Sequence, residues 1–232
     1  MKKPEPPRNE VQRISALNSY QILDTLPELA FDDLTLLASH ICKTPIALIS
    51  LVDEKRQWFK SHHGLDATET PRDISFCAHA IHESKVFVVE DARNDARFSD
   101  NPLVVGAPSI VFYAGAPLIT PSGESIGTIC VIDHKPKQIE RHQLDTLAAL
   151  ARQVILQMEL RKLTHIQSEQ KRFLQALMNS LPGPLAYWTT DLKCRFANTK
   201  YFEWFGRTAE SMLGMDIREI FGPELFKLNE PF

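Results

Sequence analysis

From Gln138 to Leu181 the chain runs without a glycine or a proline. Strong helix formers dominate this stretch, and they lose little conformational freedom in a helix. As one helix it would extend about 65 Å at 1.5 Å per residue. Leu147, Ala151, Val154 and Met158 step 4-3-4, as a coiled-coil seam does, and Ile166, Gln170, Phe173 and Leu177 repeat the pattern. Between Met158 and Ile166 the step becomes 4-4 through Lys162, which predicts a stutter. The first half is expected to pack on its own domain. Arg161–Arg172 is too polar for a core helix and suits a paired or solvent-bridging connector.

The residues before this helix read as an α+β (α/β) domain. Residues 1–9 are Pro-rich and polar, a loose tail. Val11, Ile14 and Leu17 step by three in a helix ending near Tyr20. Asp32 or Asp33 is placed to cap a second helix carrying Leu34, Leu37, Ala38 and Ile41, and Thr44-Pro45 ends it. Ile46–Val52 is an apolar, β-branched run, hence a buried strand. Gln57–Ser61 follows as its hairpin partner. Ile74–His82 reads as a short helix, Val86–Val89 as a strand, and Asp91–Ser109 as a long loop of the kind that binds things. Ile110–Ile119 and Ser125–Ile132 form a hairpin around Thr120-Pro121-Ser122-Gly123.

After the helix, Pro182-Gly183-Pro184 is a stop. Leu185–Trp188 and Cys194–Ala197 read as strands, with Asn198 capping a helix over Lys200–Phe205. Helical pieces follow at Glu210–Leu213 and Ile217–Phe221. About fifty residues of this composition are marginal as a core. The expected division is therefore a tail over 1–9, a domain over 10–137, a helix over 138–181 and a partial domain over 182–232.

Bulk properties narrow the function. With 232 residues there is room for one domain and part of another. The net charge of −3 offers no basic surplus for nucleic acid. Cys42, Cys77, Cys130 and Cys194 are far apart and set among apolar neighbours, which predicts buried reduced thiols in a reducing compartment. Met1–Arg8 has no apolar segment of a secretory leader. Asn101–Gly123 is uncharged and long enough to span a bilayer, but its prolines and glycines break any lipid-facing helix. The expectation is a soluble cytoplasmic protein with neither nucleic-acid nor membrane partners.

Several segments carry a family resemblance: Arg13-Ile14-Ser15-Ala16-Leu17, Tyr20–Thr25, Phe31-Asp32-Asp33-Leu34, Ile49–Asp53, Gln57–Ser61, Ile74–Ile81, Asp95–Phe98, Phe112–Leu118 and Ile126–Asp133. In this order they resemble the GAF domain of bacterial sensor proteins. Tyr187–Leu192, Arg195–Asn198, Tyr201–Gly206 and Leu213–Arg218 resemble the N-terminal half of a PAS domain. The resemblance implies a central antiparallel sheet flanked by helices, a long connector helix and a partial PAS fold. It also implies a sensory input that acts, through a helix pairing two copies of the chain over 138–181, on an output such as a diguanylate cyclase or, second, a histidine kinase.

The chain carries no P-loop, G-x-S-x-G, H-E-x-x-H or G-x-G-x-x-G motif, and no cyclase or kinase signature. We expect no catalytic residue and a chain that is not itself an enzyme. His165 reads as a solvated helix histidine. His79 and His82 share a helix face but lack a third ligand, so no metal is expected. Ala78 separates Cys77 from His79, unlike the adjacent Cys-His of bilin-binding relatives, and no bilin or haem is expected. The GAF resemblance places a small-molecule pocket between the sheet and the opposite loop-helix segment, implicating Phe76, His79, Phe98, Tyr113 and Thr128. Aromatic residues at such positions more often fill a core. Two alternatives are a dimerisation module with no ligand, and a GAF-type free methionine sulfoxide reductase using Cys42, Cys77 and Cys130.

Overall fold

The computed structural model describes residues 1–228. The chain divides into two compact units, Met1–Leu163 and Thr164–Phe232. In the first, helices α1 (Glu10–Ser19) and α2 (Leu29–Cys42) precede strands β1 (Ile46–Val52), β2 (Arg56–His63) and β3 (Glu69–Pro71). Helix α3 (Cys77–Ala80), strand β4 (Phe87–Val89), helix α4 (Pro102–Val105) and strands β5 (Phe112–Ile119) and β6 (Ser125–Asp133) follow, and then helix α5 (Arg141–Ser180). The sheet order is β3-β2-β1-β6-β5-β4, with every neighbouring pair antiparallel.

Period-two alternation gives the sheet two dry faces. Ala47, Ile49 and Leu51 of β1 face one core with Phe112, Ala114, Ala116 and Leu118 of β5. Leu17, Phe31 and Ala38 of the first two helices complete it, with Leu147, Ala151, Val154 and Met158 of α5. Ile46, Leu48 and Val52 face the other, with Tyr113, Cys130, Ile132 and the α3 segment. That double burial explains why β1 reads as one continuous apolar run.

Helix α5 corrects the expected stutter. The seam Leu147-Ala151-Val154-Met158 is buried in its own domain, whereas Ile166 and Phe173 are exposed. These are two faces of one helix, not one seam with a phase break. On the exposed side Leu156, Leu160, Leu163, Gln167, Gln170, Leu174, Leu177 and Leu181 step 4-3-4-3-4-3-4 without interruption. All six leucines are about half exposed.

Other boundaries also differ from expectation. Helix α2 starts at Leu29, ahead of Asp32, whose carboxylate instead accepts the Ser61 hydroxyl at 2.6 Å. The expected helix over Ile74–His82 is a 3-10 turn at Arg72–Ile74 followed by the single turn of α3. The tail expected to be loose is held down. The Lys2 amide donates to the Arg97 carbonyl at 3.1 Å, and the Met1 ammonium meets Asp100.

The second unit holds the two-stranded sheet β7 (Ala186–Trp188) and β8 (Cys194–Ala197), with helices α6 (Lys200–Phe205), α7 (Ala209–Met212) and α8 (Ile217–Leu228). Cys194, Ala197, Tyr201 and Met212 form its small core. Asn198 does not cap α6, whose N-cap is Thr199. Its amide donates to the carbonyls of Met178 and Gly183 at 2.9 and 3.0 Å and accepts from the Leu185 amide. It thus ties the end of α5 to the residue that precedes β7. The expected partial domain over 182–232 ends with four residues outside those described.

Candidate functional site

On the sheet face away from α5, Tyr113 projects from β5 and its ring lies over Gly115. A Cβ at Gly115 would collide with the Tyr113 phenol, so the glycine makes room for the ring. Phe76, entering α3, stacks on Phe98 with centroids 4.0 Å apart and meets the Tyr113 ring at 5.2 Å. His79 sits edge-on to Phe98 at 4.9 Å, and the Tyr113 hydroxyl lies 3.5 Å from the Thr128 hydroxyl. The structure therefore brings all five predicted pocket residues together. Phe76, Phe98, Tyr113 and Thr128 are fully buried, and their rings pack on one another.

Space lies beside this cluster. A cavity of about 290 Å³ is lined largely by Ile46, Leu48, Phe59, Leu103 and Ile110, with Gln57 and Thr70 as polar groups. None of the five predicted residues lines it. Gln57 is the polar pivot. Its Oε1 accepts from the hydroxyls of Ser50 (3.3 Å) and Ser75, and its Nε2 donates to Thr70 Oγ1 at 2.6 Å. Ser75 Oγ also accepts the Ala78 amide at 3.0 Å, which fixes the start of α3 beside Phe76. Sequence reasoning passed over Gln57. The available signal was Ser50, a hydroxyl inside an otherwise apolar strand, which needs a polar partner when buried.

His79 and His82 are drawn to the tail, not to a metal. Their Nε2 atoms meet the carbonyls of Lys2 and Glu5 at 3.1 and 2.8 Å. Burial lowers the His79 pKa, which favours the neutral ring. Among the described residues no group of three or more His, Cys, Asp or Glu is arranged to hold a metal ion.

A second polar cluster lies on the α5 side. Lys60 Nζ donates to Thr25 Oγ1, the Leu26 carbonyl and Glu28 Oε1 at 2.7–2.9 Å. Arg161 of α5 reaches the same Glu28 oxygen at 2.9 Å and also donates to the carbonyls of Tyr20 and Gln21. Burial would push the Glu28 carboxyl up, but these two cations outweigh it and hold it below its ordinary value. Tyr20 donates to Glu159 at 2.5 Å. The α1–α2 connection is thus fastened to α5 just where that helix leaves the first core.

Residues 27–158 match the model of the GAF domain, and the chain belongs to that family. Residues 178–231 match a PAS fold, so the chain joins two modules of sensory regions in signalling proteins. Over 137 residues it is 45% identical to a cyclic di-GMP phosphodiesterase of Pseudomonas aeruginosa. The match takes in 59% of this chain but only 23% of that protein. The expectation that the chain is not itself an enzyme is corrected by this relative, whose name is that of one.

Among solved structures, the GAF domain of an Acinetobacter phosphoenolpyruvate-protein phosphotransferase is 15% identical, with a TM-score of 0.48. It aligns with 66% of this chain and 94% of its own. A domain of a putative two-component sensor histidine kinase from Sinorhizobium meliloti is 18% identical, with a TM-score of 0.45 over 62% of this chain and 96% of its own. Among the described residues no helix is long and apolar enough to cross a membrane.

Proposed function

We propose that this chain is the regulatory input region of a larger enzyme that hydrolyses cyclic di-GMP. The GAF domain senses, and helix α5 carries the state of that domain to the parts that follow. The observation that carries this reading is the two-faced helix. One face of α5 is buried in the GAF core through Met158, and the other presents a seam of evenly spaced leucines, with Gln167 and Gln170 among them, from Leu156 to Leu177. A helix so built couples a change in packing at its start to a change in pairing along its length. Two copies pair in parallel along the seam, where Phe173 of one helix and Met178 of the other flank it at positions that meet in a parallel coil. The cavity beside Gln57 suits a small, mostly apolar ligand with one amide-complementary group. The hydrolase output rests on the name of the Pseudomonas relative and replaces the cyclase that the resemblance alone implied.

The test uses the full-length gene product that contains this chain. It is expected to hydrolyse cyclic di-GMP. One alanine inserted between Leu163 and Thr164 turns the seam by about 100°, and the rate is expected to change at least about threefold. Absence of hydrolysis overturns the output assignment. A rate indifferent to the insertion overturns the role of α5.

A further inference from the structure

Cys77 opens α3 and Cys130 lies mid-strand on β6, 53 positions later, yet their sulfurs are 3.9 Å apart. Both are buried and free, as are Cys42 and Cys194. The pair has polar company inside an otherwise apolar core. The Tyr113 hydroxyl donates to Cys77 Sγ at 3.4 Å and lies 3.5 Å from the Thr128 hydroxyl.

We propose that Cys77 and Cys130 form an oxidation site, closed by peroxide into an intramolecular disulfide. Cys77 attacks one peroxide oxygen, the O–O bond breaks, and water leaves, with the thiol proton going to the departing hydroxide. The resulting Cys77 sulfenic acid is attacked by Cys130. The S–O bond breaks, the S–S bond forms, and a second water leaves. Two thiols and one hydrogen peroxide give one disulfide and two waters, two electrons passing from sulfur to oxygen.

The environment assigns the roles. Burial pushes the Cys77 thiol up, but hydrogen bonding, from Cys130 first and then from Thr128 and Tyr113, outweighs it and holds it below its ordinary value. Its bond to Cys77, together with burial, pushes the Cys130 thiol well up. Cys77, which receives the Tyr113 hydroxyl and sits on a single helical turn while Cys130 is held mid-strand, is assigned as the nucleophile and Cys130 as the resolving thiol. Closing to a bonded distance of about 2.05 Å needs a movement of about 2 Å. The movement falls to the single turn of α3 and not to β6, which is hydrogen-bonded to a strand on each side. Short segments of this kind open locally well below the free energy of global unfolding, which admits a molecule as small as peroxide.

The test titrates the reduced 232-residue chain with hydrogen peroxide, blocks remaining thiols after denaturation, and maps the products by mass spectrometry. The expected product has lost two hydrogens and yields a Cys77–Cys130 linked peptide. It should form about tenfold faster than any oxidation of Cys42, whose thiol burial pushes up to about 11. In Cys130→Ala, Cys77 gains one oxygen and is trapped by dimedone, while Cys42→Ala leaves the link intact. An unchanged mass, a link between other cysteines, or equal rates at all four overturns the proposal. The wild-type map decides this even if a variant fails to fold.

Discussion

Lys60 points from β2 into a space closed to water, and Glu28 supplies its counter-charge. Removing one partner of such a pair leaves a buried charge uncompensated. Because Glu28 is itself partly exposed, Glu28→Ala is expected to cost about 2–3 kcal/mol, read as a lowered urea midpoint. Arg161→Ala, which leaves Lys60 paired, should cost under about 1 kcal/mol.

Glu10 gives the acid behaviour of the domain. Burial alone would raise its carboxyl, but hydrogen bonds from Arg13 and Arg72 outweigh it and bring the pKa down to about 2. The folded value lies below the ordinary 4.5. This contribution is therefore fully present above pH 4.5 and is lost as pH falls toward 2. Between pH 5 and 2.5 the wild type should lose about 1 kcal/mol more stability than Glu10→Gln, after allowing for solvent screening. Urea titrations across that range give the comparison. At this scale the sequence was a partial guide. Phe76, Phe98 and Tyr113 were legible as neighbours, though not as a packed core beside the cavity, because the motifs that contain them resemble a family. Gln57 and the Cys77–Cys130 approach were not, because each depends on strand register, which fixes partners no spacing rule reveals.

Helix α5 makes the sharpest prediction among the elements. Asp at Leu163 or Leu174 places a charge in the proposed seam and should weaken self-association at least about tenfold. Sedimentation equilibrium reads this, with Arg172→Asp on the same helix as a control that leaves association unchanged. Elements bounded by strong punctuation were easy to see in advance. Pro45 and Asp53 frame β1, which runs from Ile46 to Val52. Strand β3 was invisible, because Glu69-Thr70-Pro71 has no alternation of its own and becomes a strand only by pairing with β2. The true course of α5 was hidden for another reason. Its buried and exposed faces both obey a 4-3 spacing, and only burial shows that Met158 and Ile166 belong to different faces.

At the scale of the molecule, the first core is incomplete without α5, since Leu147, Val154 and Met158 are fully buried in it. A fragment of residues 1–163 should unfold cooperatively and resist protease. A fragment of residues 1–133 should bind the dye ANS and be cut readily, because the sheet face that α5 covers is then bare. Equal resistance in the two would mean that α5 is an ornament to this core and not a part of it. The fold class was legible in the sequence; the division between Leu163 and Thr164 falls inside the helix. The long helix crosses from one compact unit to the next, so no break in composition marks the boundary.

The centre of the sheet pairs β1 with β6, the first strand with the last. On the ribosome, β1 therefore emerges with its permanent neighbour still unmade. At about 5–20 residues per second, the interval before α5 follows β6 out is several seconds to about twenty. Throughout it, Ile46–Val52 is a naked seven-residue apolar strand with one edge unsatisfied. The architecture that buries β1 most deeply in the finished protein makes it the segment a nascent chain must shield longest.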